Sequence, residues 1–220
     1  MVQYSNLLDT KIMDARNQKN IELSLVVPVF NESEAVSFFI DRVKDVFDKF
    51  NEIKLEIVFV NDGSNDDTLV HLLELQKQYS EIRIVDLSRN FGKEAALTAG
   101  LKVASGHVVV PIDVDLQDPP ELILEMIGKW REGYDVVVGK RINRYLDSWA
   151  KKKSAILFYH IHNKISNIKI PENVGDFRLM DRSVVDALNE LPESRRFMKG
   201  LFAWVGFRST AVEYARPERI

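Results

Sequence analysis

The residues with the plainest chemistry lie in one run, Pro111-Ile112-Asp113-Val114-Asp115-Leu116-Gln117-Asp118-Pro119-Pro120-Glu121. An apolar run at 107–110 precedes it and reads as a strand. A helix is expected from about Pro119, because proline suits the first helical turn. Two carboxylates one residue apart at a strand's end, then an amide oxygen two further on, form a compact hard-oxygen set: Asp113, Asp115 and Gln117. Mg²⁺ or Mn²⁺ carrying a diphosphate takes such a set, since hard cations prefer oxygen ligands and share them with substrate phosphates. A lone Asp-x-Asp would favour a loop with an Asx-type helix cap; the longer string favours the metal. Lys93 is a second candidate. It follows Gly92 at the opening of an expected helix, where phosphate oxygens meet amide donors and a cation, although a solvated surface lysine reads nearly as well.

The elements that must position these groups alternate. Strands are expected at 21–30, 55–60, 82–87, 107–112 and 135–139. Helices are expected from Asn31-Glu32-Ser33-Glu34 to about Phe50, from a cap at Asp66 to about Tyr79, at 91–104 and at 121–131. Such alternation defines an α/β chain with a mostly parallel central sheet flanked by helices and right-handed crossovers. Ligands of such sheets bind beyond the carboxyl ends of the strands. The polar clusters around Asn31, Asp62, Arg89 and Asp113 all fall there, on one rim, while Gly63-Ser64 read as turn residues.

After Gly139 the pattern changes. Residues 145–165 read as one long helix, with Leu157, Ile161 and Ile165 at four-residue spacing beside Lys151-Lys152-Lys153. Gly175-Asp176-Phe177-Arg178-Leu179-Met180 reads as a short strand or loop, 183–191 as a helix and 207–214 as an edge strand. Arg195, Arg196 and Lys199 are interleaved with Phe197, Leu201, Phe202 and Trp204, a pattern suited to a membrane surface; a helix packed on the domain is the sober alternative. The three-lysine run reads equally as a wet helix face. The four histidines have no metal-ligand spacing, and His107 reads as core or strand edge.

Composition bounds the rest. The chain has 220 residues, 45% hydrophobic and 29% charged, which suits one globular domain with a sizeable core. Its net charge of −3 lacks the basic footprint of a nucleic-acid protein. With no cysteine there is no disulfide, thiol catalysis or thiolate metal site. The first 20 residues are polar, without the apolar segment of a signal peptide. No apolar run reaches the ~18 residues of a membrane span.

Five fragments in order carry a resemblance: Val27-Pro28-Val29-Phe30-Asn31-Glu32; Val60-Asn61-Asp62-Gly63-Ser64-Asn65-Asp66-Asp67-Thr68; Arg89-Asn90-Phe91-Gly92-Lys93-Glu94; the stretch from Asp113 to Glu121; and the stretch from Gly175 to Met180. Together they resemble the GT-A fold of family-2 glycosyltransferases, within it the polyprenyl-phosphate group that includes dolichyl-phosphate mannose synthase and bactoprenol glucosyltransferases. Asn61 stands where that family usually has an acid. The resemblance implies nucleotide contacts from Pro28, Phe30, Glu32, Asp62, Lys93 and Asp113, with Asp113, Asp115 and Gln117 on Mg²⁺ or Mn²⁺. It implies Asp176 as catalytic residue, and Arg141, Lys152, Lys153, Ser154, Arg178 and Arg195 around the acceptor phosphate.

The expected organisation is a polar leader at 1–20, a nucleotide-sugar-binding α/β half at 21–140, and an acceptor-side, membrane-proximal half at 141–220. The expected reaction moves a sugar from a nucleotide-diphosphate donor, a UDP-hexose before GDP-mannose, to polyprenyl phosphate, with inversion implied by the resemblance. The family generally continues into membrane-spanning helices, so a piece of a longer protein at the cytoplasmic face of a membrane is expected. The aromatic-basic end leaves room for a homo-oligomer. One alternative is transfer to a sugar hydroxyl in capsule or lipopolysaccharide synthesis, although the Gln-x-x-Arg-Trp segment usual in processive synthases is absent. Another is a catalytically idle nucleotide-sugar binding module.

Overall fold

The structure, a computed structural model, describes residues 21–142, 174–192 and 198–215. The expected leader at 1–20, the helix at 145–165 with Lys151, Lys152, Lys153 and Ser154, and Arg195, Arg196 and Phe197 lie outside them.

Among the described residues one seven-stranded sheet forms from β1 (Ile21–Val29), β2 (Ile53–Asn61), β3 (Ile82–Asp86), β4 (Val108–Pro111), β5 (Val136–Arg141), β6 (Val174–Asp181) and β7 (Ser209–Tyr214). Their order across the sheet is β3-β2-β1-β4-β6-β5-β7. β1 pairs parallel with β2 and β4, β2 with β3, and β5 with β7. β6 alone runs antiparallel, inserted between β4 and β5.

Strand side chains alternate between two cores. Leu23, Leu25, Val27 and Val29 of β1 enter one, and Val26 enters the other. The first core is covered by α1 (Ser33–Phe47), α2 (Thr68–Gln78) and α4 (Leu122–Arg131); the second by α3 (Lys93–Val103), α5 (Arg182–Glu190) and α6 (Met198–Trp204). In α1 the buried positions Val36, Phe39, Ile40, Val43, Val46 and Phe47 recur at three- and four-residue steps. Each such side chain, fully buried, contributes about 1.5–3 kcal/mol. The layers are therefore helix, sheet, helix, with the parallel strands sealed on both faces.

Local chemistry sets the element ends. α3 begins at Lys93 rather than 91 because Gly92, at φ +93°, ends the preceding loop. α4 begins at Leu122, with Pro119 and Pro120 in the turn before it. Residues 175–180, expected as a strand or loop, belong to an eight-residue strand. No helix among the described residues is long and apolar enough to cross a membrane.

Candidate active site

The rim is built by tying the loops after β1, β2 and β3 to one another. Asn31 follows β1 at φ +55°, a left-handed conformation that asparagine tolerates. Its backbone N–H donates to Ser64 Oγ at 2.9 Å, and its Oδ1 accepts from the Asn65 N–H at 2.8 Å. Glu32 N–H donates to Thr68 Oγ1 at 2.9 Å. Asp66, the expected helix cap, accepts the Thr68 N–H at 3.0 Å, although Asp67 holds the position directly before α2.

The loop after β3 is clamped by Asp62. Its two carboxylate oxygens accept the Phe91 and Gly92 N–H groups, each at 2.8 Å, and the residue is 4% exposed. Gly63, at φ +66°, lies so close to this loop that a Cβ would fall 2.3 Å from the Arg89 carbonyl carbon. The sequence implied Asp62 as a base contact; its carboxylate is here largely committed to shaping the pocket wall. Asn61 is likewise used, its Nδ2 donating to Asp86 Oδ1 at 2.7 Å.

Beyond β4 the chain turns through the acidic motif. Asp115 Oδ1 accepts the Gln117 N–H at 3.2 Å. Leu116 between them sits at φ +54°, a strained state for a non-glycine residue that is enriched at functional sites. Lys93 faces this motif from the start of α3. Its Nζ lies 2.7 Å from Asp113 Oδ1 and 3.4 Å from Asp176 Oδ2. Burial pulls the Lys93 pKa down, and the attraction of Asp113 and then Asp176 more than offsets it, leaving the ammonium above its ordinary value. Asp176 reaches the rim because β6 is antiparallel and therefore starts there. Its Oδ1 is buried and has no hydrogen-bond partner among the described residues.

Arg141, at the end of β5, donates from Nε to Tyr214 Oη at 3.0 Å and from Nη2 to Asp118 Oδ1 at 3.2 Å. Tyr214 Oη in turn donates to Asp118. Arg178 departs from the expected acceptor role. It is 5% exposed and does not line the cleft. Its guanidinium donates to the Gly175 carbonyl at 2.7 Å and stacks 3.8 Å from the Phe202 ring centre. Strand alternation puts Arg178 on the same side as Asp176 but deeper, so it braces the 175–176 backbone. Burial lowers its pKa to about 10, which still leaves it cationic near neutrality.

These groups line two compartments that meet at Lys93 and Asp113. All six residues expected at the nucleotide (Pro28, Phe30, Glu32, Asp62, Lys93 and Asp113) line one trough of about 370 Å³, together with Asp115. The second, about 200 Å³, is lined by Lys93, Asp113, Asp118, Arg141 and Asp176 among others. Gln117 lines neither. No cluster of three or more His, Cys, Asp or Glu among the described residues could hold an ion alone. Asp113 and Asp115, both lining the trough, fit a hard cation that completes its shell with diphosphate oxygens.

Sequence reasoning missed Asp118 as a cleft residue, Tyr214 as the buried partner behind it, and the strain at Leu116. Asp118 lay inside a quoted motif, but its burial had no sequence signal. For Tyr214 a signal existed: alternation puts it on the same inward face as Val212, and both are buried.

This arrangement is that of a known class. Residues 24–188 match glycosyl transferase family 2, and the chain belongs to that family. It is 52% identical over 199 residues to an uncharacterized glycosyltransferase of Synechocystis sp., covering 90% of this chain and 62% of that protein. It is 52% identical over 204 residues to a bactoprenol glucosyl transferase of Shigella phage SfV, covering 91% and 65%. The chain thus spans less than two thirds of the length of these relatives. Among solved structures, a mannosyltransferase from Pyrobaculum calidifontis in complex with GDP-Man and Mn²⁺ superposes with a TM-score of 0.61 at 19% identity, covering 97% of this chain and 65% of that one. Glucosyl-3-phosphoglycerate synthase from Mycobacterium tuberculosis in complex with Mn²⁺, UDP and glucosyl-3-phosphoglycerate gives 0.60 at 19%, covering 96% and 77%. The fold is GT-A.

Proposed function

We propose that the protein is a glycosyltransferase that moves a hexose from a nucleotide-diphosphate sugar, a UDP-hexose before GDP-mannose, onto polyprenyl phosphate with inversion. The observation that carries this reading is the junction of the two compartments. There a trough with every expected nucleotide residue meets a smaller cleft lined by Arg141 and Asp176. The relatives named as bactoprenol glucosyl transferases support the lipid acceptor.

In this reading Pro28, Phe30, Glu32 and the Asp62-braced loop hold the nucleoside. Asp113 and Asp115, with Gln117 nearby in sequence, would hold Mg²⁺ or Mn²⁺, which when bound neutralises the departing diphosphate. Lys93 supplies a second cation to the same phosphates. An oxygen of the acceptor phosphate attacks the anomeric carbon as its bond to the diphosphate oxygen breaks, and the nucleoside diphosphate leaves. Arg141 orients the acceptor phosphate by charge-assisted hydrogen bonds. A phosphate monoester has its second pKa near 6, so it is mostly dianionic at neutral pH and needs little proton removal. Asp176 then serves by orienting the sugar and stabilising positive charge at its anomeric carbon. The full protein would work at the cytoplasmic face of a membrane.

The test is a thermal-shift series with UDP-glucose and GDP-mannose, with and without Mn²⁺, followed by transfer of radiolabelled sugar. A donor at 100 times its dissociation constant adds ~2.7 kcal/mol of stability. Label in a lipid extract that disappears with Asp115→Ala supports the reading. Label in a water-soluble glycan indicates a sugar-hydroxyl acceptor, and binding without turnover an idle module.

A further inference from the structure

Arg141 is held at the cleft by two side chains to which the proposed reaction gives no role, Asp118 and Tyr214. Asp118 is 3% exposed, and a carboxylate taken out of water is costly unless charge and hydrogen bonds compensate it. Its partners come from two other strand ends: Arg141 from β5 and Tyr214 from β7, which are direct partners in the parallel register. The Tyr214 ring packs edge-on against Phe177 at 5.9 Å, so its hydroxyl is held at Asp118 by packing as well as by hydrogen bonding. Burial first, and then the Asp118 contact, push the Tyr214 phenol above its ordinary value, so it remains a donor at working pH.

The unit is asymmetric. The Asp118 side chain is 4% exposed, whereas that of Arg141 is 25% exposed and lines the cleft. Arg141 therefore keeps an open side toward the cleft while its carboxylate partner is enclosed behind it. The Tyr214 and Asp118 contacts engage Nε and Nη2, so among the described residues Nη1 retains its donors for ligand oxygens. We propose that Asp118 and Tyr214 are positioning residues that fix the Arg141 guanidinium as the receptor for a phosphate monoester in the smaller compartment. The inference rests on the acceptor reading above for the identity of that phosphate. It also links the acidic motif to the acceptor arm, because Asp118 lies three residues after Asp115.

The experiment compares the protein with Tyr214→Phe, which keeps the ring and removes the hydroxyl. Trp130→Phe is the control, losing a different buried hydrogen bond, to Asp181, outside the cleft lining. Calorimetry with citronellyl phosphate, a soluble prenyl phosphate, is expected to give about tenfold weaker binding for Tyr214→Phe, the size of one hydrogen bond to a charged group. Trp130→Phe should bind like the wild type. In turnover with UDP-glucose and the same acceptor, the acceptor KM should rise by a similar factor with kcat and donor KM little changed. On an Arg141→Lys background Tyr214→Phe should add nothing. If Tyr214→Phe binds the phosphate as the wild type does, or if the wild type does not bind it, the inference is overturned. If the wild type binds the phosphate and Tyr214→Phe weakens it, yet no lipid is glycosylated, the positioning role stands and the proposed reaction falls.

Discussion

Lys93 grips Asp113 with one ammonium against two oxygens, its Nζ lying 2.7 Å from Oδ1 and 2.9 Å from Oδ2. These are the oxygens proposed for the divalent cation. Without donor, Lys93 is an internal counter-ion for the motif; with donor, it is free to turn to the diphosphate.

Two opposite effects are therefore expected of Lys93→Met. Removing the competing cation should tighten Mn²⁺ binding in the absence of nucleotide, and sugar transfer should slow. Each change should be about tenfold, the scale of one charge-assisted contact. Calorimetry with Mn²⁺ alone and initial-rate kinetics check the pair; a variant that loses both affinities would point to collapse of the site.

The contribution of Lys93 to stability should change with pH only at high pH, where it is lost. Its pKa is raised in the folded state above the ordinary 10.5, through Asp113 and Asp176 acting against burial. A raised pKa gives stabilisation that is complete below the unfolded value and lost as pH climbs through the folded one. The stability difference between wild type and Lys93→Met should stay level from about pH 6 to about pH 9 and shrink above about pH 10.5. Urea melts across that range read it directly.

The two loop glycines should respond unequally to alanine. At Gly63 a methyl meets the Arg89 backbone and a left-handed φ, so Gly63→Ala should cost about 2–4 kcal/mol. At Gly92 nothing lies within 4 Å of the added carbon, leaving only the conformational strain of its φ +93°, ψ 156° backbone, about 1–3 kcal/mol. Denaturant unfolding ranks them, and equal losses would contradict the close approach of the two loops.

Asp176→Asn separates base catalysis from charge stabilisation. Removing a true general base commonly costs 10²–10⁴-fold, as an approximate range. With a phosphate acceptor whose second pKa is near 6, a loss of only about tenfold is expected, with a rate profile that still rises through about pH 6. A loss beyond about 10³-fold would restore the base role.

The α/β alternation and the rim were legible because β-branched runs, polar strand ends and helical spacing agree with one another from residue 21 to residue 139. The trough was legible for the same reason: Pro28 lies at the end of β1, and Glu32, Asp62, Lys93 and Asp113 each follow a strand or open a helix, so local position fixes their side of the sheet. What escaped was depth and partner choice. Arg178 and Arg141 are both strand arginines, yet one is enclosed under Phe202 and the other faces the cleft. Arg141 closes β5 at the rim, whereas Arg178 lies in the middle of β6 and so sits deeper. The direction of β6 was equally hidden, because a run such as Gly175-Asp176-Phe177-Arg178 alternates identically in either orientation.

That reversed strand has an evolutionary consequence. Lys140 and Val174 are neighbours across the sheet, so the chain departs and returns through a single doorway at the rim. An insertion, deletion or wholesale exchange after Ile142 and before Val174 would leave every strand pairing among the described residues intact. Relatives can thus diverge in length and sequence at that one place while inheriting the sheet unchanged.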